Sequence, residues 1–167
     1  VACDLICSGV GIEEFIKIIE NADLDVIYIC QEVRACPIHD CPLATCASFG
    51  VAQVSPQSAR KSYENEFSFS TTFSVFDQTG TGELAFFVIT SPGSMPPELE
   101  GGELVADGFQ KGTYNLNYNI KLQDDPEAQP FPVTYLPGKY EIHNYVCEGE
   151  CGSSHPHSKI LAVQKNV

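Results

Sequence analysis

The chain is organised around the stretch Cys30-Gln31-Glu32-Val33-Arg34-Ala35-Cys36-Pro37-Ile38-His39-Asp40-Cys41-Pro42-Leu43-Ala44-Thr45-Cys46, which contains half of its 8 cysteines. Before this stretch the apolar residues recur with the period of a helix, and after it they alternate with the period of a β-strand. The sequence therefore predicts a small disulfide-stapled helical piece, residues 1–46, joined to a larger β domain, residues 47–167.

The composition is that of a globular protein with a strongly acidic surface. Hydrophobic residues make up 43% of the 167 residues, which is enough for one good core and a small appendage. Asp and Glu number 22 against 9 Lys and Arg, a net charge of -13. Because such a surface repels polyanions, we expect no nucleic-acid partner and disfavour a membrane or lipid partner. The longest apolar run is too short to cross a bilayer.

The cysteines are even in number and closely paired along the chain. In a chain of this size that pattern favours disulfides and an oxidising compartment. Zinc would need tighter knuckles, so we expect all eight cysteines to be oxidised and predict neither a metal nor a cofactor. The chain opens at Val1 without an apolar leader, which we interpret as a secreted product whose signal has been removed. The pairs in sequence are Cys3/Cys7, Cys30/Cys36, Cys41/Cys46 and Cys147/Cys151.

The N-terminal piece is predicted to be an αα-hairpin. Four apolar residues of the first helix fall on one face. Asp23 is a suitable N-cap for a second helix, which carries Val26, Ile27, Cys30 and Val33 on one side. The antiparallel arrangement would bring Cys3 and Cys7 near Cys30 and Cys36, so nested bridges are feasible, but spacing leaves the connectivity open. The face of the first helix consists of Ile12, Phe15, Ile16 and Ile19.

This hairpin resembles the second half of a saposin-type domain. The resemblance lies in Cys3, the segments Gly11–Ile19 and Asp23–Cys30, and the final pair Cys30 and Cys36 separated by five residues. A whole saposin unit has two hairpins and three bridges, so its lipid-binding function does not carry over.

With no second hairpin, the apolar face of the first helix needs another cover. The chain's own β domain, a cleaved first-half fragment or another copy would each suffice. Leaving several large apolar side chains in water would cost about 1.5–3 kcal/mol each, so we expect Ile12, Phe15, Ile16 and Ile19 to be interface candidates and the protein to self-associate, as oligomers or filaments.

The remainder of the chain alternates with the period of strands. Val51–Pro56, Glu66–Val75, Leu84–Ile89, Thr113–Leu122, Lys139–Cys147 and Lys159–Lys165 are predicted strands, and Pro92–Gly102 a loop. Several strands without intervening helices indicate an antiparallel sandwich of the immunoglobulin or fibronectin type III kind. The fold class is therefore mainly β, with an N-terminal helical hairpin.

The layout as a whole resembles the countin family. The motifs that carry the resemblance are Cys36-Pro37-Ile38-His39-Asp40-Cys41-Pro42, then Pro137-Gly138-Lys139-Tyr140, then Cys147-Glu148-Gly149-Glu150-Cys151-Gly152. Members of that family are secreted amoebozoan proteins associated with cell-number sensing. The resemblance implies secretion and extracellular protein contacts, and it supplies no catalytic residues.

Three further patterns have a functional and a structural interpretation. Asp77–Leu84 echoes the start of a calcium loop, but its twelfth position is Val88, so a glycine-containing β-turn is favoured. Cys147-x3-Cys151 with His155 and His157 could bind copper or zinc, but a small disulfide loop and a solvated connection are favoured. Asn115, Asn117 and Asn119 could bind sugar or pair with another strand, although such rows are more often solvated.

The sequence contains no G-x-S-x-G elbow, HExxH motif or phosphate-cradling glycine loop. We therefore predict a secreted non-enzymatic interaction or structural protein that contacts other proteins, first of all other copies of itself. The alternatives are a saposin-like lipid- or membrane-binding protein and a hydrolase whose site is not visible in sequence.

Overall fold

A computed structural model describes residues 25–60, 62, 64–90, 99–127 and 133–166. These residues form one short helix and strands that pair antiparallel, so the mainly β prediction is confirmed. No helix in the described ranges is long and apolar enough to span a membrane. The first predicted helix, which carries Ile12, Phe15, Ile16 and Ile19, lies outside the described residues. The elements are α1 (Val26–Glu32), β1 (Ala47–Phe49), β2 (Gln53–Ser55), β3 (Glu64–Val75), β4 (Gly82–Thr90), β5 (Leu99–Val105), β6 (Gly112–Gln123), β7 (Tyr140–Glu148) and β8 (Lys159–Asn166).

The strands form two four-stranded sheets. In the first sheet, the short strands β1 and β2 both pair with one side of β3, and β6 pairs with its other side. The second sheet has the order β5-β4-β7-β8. The sequence predicted a central position for β4 because it is apolar on both faces, and the structure confirms it.

The core lies between the inward faces of the two sheets, whose side chains share two hydrophobic clusters. Phe69, Phe73 and Val75 of β3 are buried in these clusters, and so are Ile120 and Leu122 of β6, as the period-two pattern predicts. The hydroxyl of Tyr118 on β6 donates to Asn144 Oδ1 on β7 at 2.6 Å, which links the sheets through the core.

Three local details differ from the predictions. The predicted strand at Val51–Pro56 is the shorter β2, and β1, which precedes it, was not predicted; the two strands are separated near Gly50, where a Cβ would lie 2.5 Å from the Thr72 hydroxyl oxygen. The loop at Pro92–Gly102 overlaps strand β5. The N-cap of α1 is Asp25 instead of Asp23, and its carboxylate accepts the N–H of Tyr28 at 2.8 Å.

Three disulfides join cysteines that are neighbours in sequence: Cys30–Cys36, Cys41–Cys46 and Cys147–Cys151. The pairing of Cys30 with Cys36 replaces the nested bridges to Cys3 and Cys7 that the hairpin made feasible. Cys3 and Cys7 lie outside the described residues.

Candidate functional site

The Cys-rich joint, residues 36–46, is attached to the connection between β3 and β4, residues 76–81. Gly80 N–H donates to His39 O and Thr81 N–H to Pro37 O, both at 2.9 Å. A Cβ on Gly80 would lie 2.6 Å from the backbone nitrogen of His39, so the joint can approach this closely only because the residue is glycine. Thr79, Gly80 and Thr81 of this connection, which was predicted to be a turn, are therefore buried where the joint docks.

Glu148, at the end of β7, fixes the joint from the other side. Its side chain is only 3% exposed, and its carboxylate accepts the backbone N–H of Cys41 at 2.9 Å. Burial raises the pKa of Glu148 above its ordinary value, and the negative charge of Asp40 adds to this, whereas the hydrogen bond from Cys41 opposes it. A buried, hydrogen-bonded carboxylate thus holds the joint on the β domain.

The loop between β7 and β8, residues 149–158, contacts both the helix and the joint. The ring of His155 stacks on Tyr28 of α1, with centroids 4.0 Å apart and planes at 4°. His157 Nδ1 lies 2.8 Å from Asp40 Oδ1, a contact that is an ion pair when the histidine is protonated. The sequence predicted a solvated connection here, but the two histidines instead attach the N-terminal segment to the β domain.

The metal alternatives gain no support from the geometry. Cys147 and Cys151 are bonded to each other, and the described residues contain no group of three or more His, Cys, Asp or Glu side chains placed to hold a metal ion. In the calcium-like loop, the Thr79 hydroxyl accepts the Phe109 N–H at 2.9 Å and the Thr81 hydroxyl donates to Ala106 O at 2.6 Å. These hydroxyl oxygens therefore hydrogen-bond to the backbone and stabilise the fold.

The outward face of the first sheet is a continuous surface of uncharged polar side chains, which we call the neutral face. Strand pairing places hydroxyls of β3 opposite amides and hydroxyls of β6, and Ser68 donates to Asn119 Oδ1 at 3.0 Å. Glu64, Glu66 and Lys121 lie beyond one end of it. The neutral face consists of Ser48, Gln53, Ser55, Ser68, Ser70, Thr72, Ser74, Thr113, Asn115, Asn117 and Asn119.

A cavity of about 910 Å³ opens at one end of the core, between β2, β3 and β6 on one side and β4 and β7 on the other. Its inner walls are apolar and its mouth is polar. No sequence pattern indicated this cavity, because the residues that form it are far apart along the chain and each has an ordinary core or loop pattern.

The predicted site residues fall in three groups. Six cysteines form the disulfides described above, and the asparagine row lies on the neutral face. The interface candidates Ile12, Phe15, Ile16 and Ile19 lie outside the described residues. Sequence reasoning missed Glu148 and Asp40, and the quoted motifs around Cys36–Pro42 and Cys147–Gly152 were the signal that could have pointed to them.

Comparison with known proteins covers both parts of the chain. The Countin N-terminal domain family model matches residues 1–34, and the Countin C-terminal domain model matches residues 47–167. Countin-1 of Dictyostelium discoideum is 34% identical over 161 residues, which are 96% of this chain and 57% of that protein. Countin-3 of the same organism is 30% identical over 97% of this chain and 67% of its own length. Countin-2 of the same organism is 31% identical over 92% of this chain and 56% of its own length. The chain thus spans between 56% and 67% of the length of these relatives.

Proposed function

The chain belongs to the countin family, and we propose that it is a secreted, non-catalytic protein that associates with other copies of itself through the neutral face. Neither the family nor the relatives described above are named as enzymes. The disulfides support secretion, because such bonds persist in oxidising compartments.

The observation that carries the proposal is the absence of charge from the neutral face of a chain with net charge -13. Two acidic copies repel each other wherever carboxylates face carboxylates, and this repulsion is weakest between surfaces that carry none. Amide and hydroxyl side chains contain both donors and acceptors. The same surface on two copies can therefore satisfy its own hydrogen bonds, as a two-fold contact requires.

The architecture we propose for the β domain is immunoglobulin-like or fibronectin-like. The supporting features are the two antiparallel sheets, with β4, β5, β7 and β8 in one and β3 and β6 in the other. A further feature is Tyr140 at the start of β7, whose hydroxyl donates to Leu136 O at 2.5 Å in the manner of a tyrosine corner.

A second contact would make larger assemblies from such pairs. The apolar face of Ile12, Phe15, Ile16 and Ile19 remains our candidate for it. With two different contacts on each chain, association need not stop at a dimer and can form open oligomers or filaments.

The proposal is tested by the binding of the soluble chain to the immobilised chain. The double variant Asn115→Asp, Asn117→Asp keeps side-chain shape and adds two negative charges to the neutral face, opposite hydroxyls that can donate to them. We expect it to weaken self-binding at least tenfold, and 1 M salt to restore part of the loss by screening.

The matched control is Gln78→Glu, Gln110→Glu, which adds the same charge at two exposed positions outside the neutral face. We expect its self-binding to stay within twofold of the wild type. Equal weakening in both variants would show a general charge effect and contradict the assignment to the neutral face.

A further inference from the structure

We infer that the cavity at the end of the core is a binding site for a small amphipathic molecule with an apolar body and a single anionic head group. The cavity of about 910 Å³ lies within the size range of small-molecule sites. This site lies between the sheets and shares only Gln53 and Ser55 of β2 with the neutral face. It includes neither of the asparagines changed in the self-binding test, so the inference goes beyond the proposed function and does not depend on it.

The inner part of the cavity suits an aliphatic chain. Its lining includes Val88, Ile120 and Ile142, which also belong to the second hydrophobic cluster of the core. Phe67 and Val54 extend the apolar surface towards the mouth. These walls come from strands of both sheets, and loop residues 57–59 and 135–139 complete the lining.

The mouth of the cavity determines the head group. Gln57, Ser58 and Asn65 supply neutral polar groups there, and Lys139 is the one charged side chain among the described residues that line the cavity. None of these lining residues is acidic, although Asp and Glu make up 22 of the chain's 167 residues. A cavity whose described lining carries one lysine and no carboxylate favours an anion over a cation.

The test is calorimetric titration of the full chain with three amphiphiles that share a twelve-carbon tail, each below its micelle concentration. The ligands are dodecanoate, 1-dodecanol and dodecyltrimethylammonium. We expect saturable binding of one dodecanoate per chain, weaker binding of the alcohol and the weakest binding of the cation. Non-specific attraction to a chain of net charge -13 would give the reverse order for the two ions, so the ranking itself discriminates.

Two variants locate the binding. Lys139→Gln should weaken dodecanoate about two- to fivefold, as expected for an exposed ion pair, and leave 1-dodecanol unchanged. Val54→Trp should fill the cavity and abolish binding of both. Because the chain has no tryptophan, the emission wavelength of this variant reports whether the indole is buried. Ala52→Phe serves the same purpose if the first variant does not fold.

Three results would overturn the inference: no saturable binding of dodecanoate, tighter binding of the cation, or full binding by a folded Val54→Trp variant. A parallel arm measures co-sedimentation with neutral phosphatidylcholine vesicles and anionic phosphatidylserine vesicles. Vesicle binding without dodecanoate binding would assign the apolar opening to a membrane surface and contradict the small-molecule site. Loss of self-binding in the neutral-face variant with normal dodecanoate binding, or the converse, separates the two proposals.

Discussion

The carboxylate of Glu148 accepts the backbone N–H of Cys41 through both oxygens, at 2.9 and 3.2 Å, across 107 residues of sequence. Next to this contact, His157 meets Asp40 and His155 stacks on Tyr28. The N-terminal segment is therefore attached to the β domain through three side chains of the β7–β8 region, and one of them is a buried carboxyl.

The first prediction concerns the pH dependence of stability. Because burial raises the pKa of Glu148 above its ordinary value of 4.5, the folded chain holds this proton more tightly than the unfolded chain. Its contribution to the free energy of unfolding therefore increases as the pH falls through the raised pKa towards 4.5. The free energy of unfolding of the wild type minus that of Glu148→Gln, measured with urea, should therefore rise as the pH falls over that interval.

Glutamine keeps an oxygen that can accept the Cys41 N–H, so the fold should survive the Glu148→Gln change. Glu103→Gln, at an exposed position on β5, is the matched control and should track the wild type. Parallel pH profiles for the wild type and Glu148→Gln would show that this carboxyl does not couple protonation to folding.

The second prediction tests the register of β6. Ile120→Ala removes a side chain that is 2% exposed and should lower the free energy of unfolding by about 2–5 kcal/mol. Asn117→Ser, at an exposed position of the same strand, should change it by about 0.5 kcal/mol or less. Denaturant unfolding measures both, and the reverse ranking would place the strand one residue out of register.

The contrast between β6 and β5 shows what the sequence can predict. One face of β6 is buried and the other is exposed to solvent, so apolar and polar residues alternate along it. The residues that point into the core can therefore be predicted from the sequence. Strand β5 contains Gly101 and Gly102, which are typical of a loop. Gly101 is required because a Cβ there would lie 2.5 Å from the ring of Phe86, a contact that exists only after β4 and β5 have paired.

Among the candidate sites, too, some could be predicted from a local sequence pattern and others depend on contacts between distant residues. The neutral face could be anticipated from the alternating asparagines, because it lies on one regular sheet. The buried role of Glu148 does not follow from its local pattern, since an acidic residue at a strand end is normally solvated and its partner Cys41 is distant in sequence. Only its place in the Cys147–Gly152 motif pointed to it. The cavity depends on how the two sheets pack at one end of the core, and this packing cannot be predicted from a local sequence pattern.

The third prediction concerns the hydrogen bond between Tyr118 and Asn144. Burial raises the pKa of Tyr118 above its ordinary value of 10.0, so its hydroxyl keeps its proton and remains a donor at neutral pH. Tyr118→Phe would leave Asn144 Oδ1 buried without this donor and should cost about 1–3 kcal/mol. Tyr114→Phe is the matched control on the same strand, because its hydroxyl bonds to Gln110 O near the surface. Equal losses of unfolding free energy in the two variants would show that the Tyr118–Asn144 hydrogen bond stabilises the fold no more than a surface hydrogen bond does.

The fourth prediction concerns the cysteines. Thiol titration of the denatured, unreduced chain should find no free thiol, because six cysteines are bridged in the structure and we expect Cys3 and Cys7 to be oxidised as well. Replacing Cys30 and Cys36 together by serine should lower stability by about 2 kcal/mol, as the closure of so short a loop implies. Two free thiols per chain would show that Cys3 and Cys7 are reduced.

The central claim is that the neutral face joins copies of this chain. The most direct test is the mass of the native particle, measured by light scattering after size exclusion, for the wild type and for Asn115→Asp, Asn117→Asp. The account predicts a wild-type particle of several chains and a smaller particle for the double variant, with Gln78→Glu, Gln110→Glu unchanged. A monomeric wild type, or equal masses for the wild type and the neutral-face variant, would contradict it.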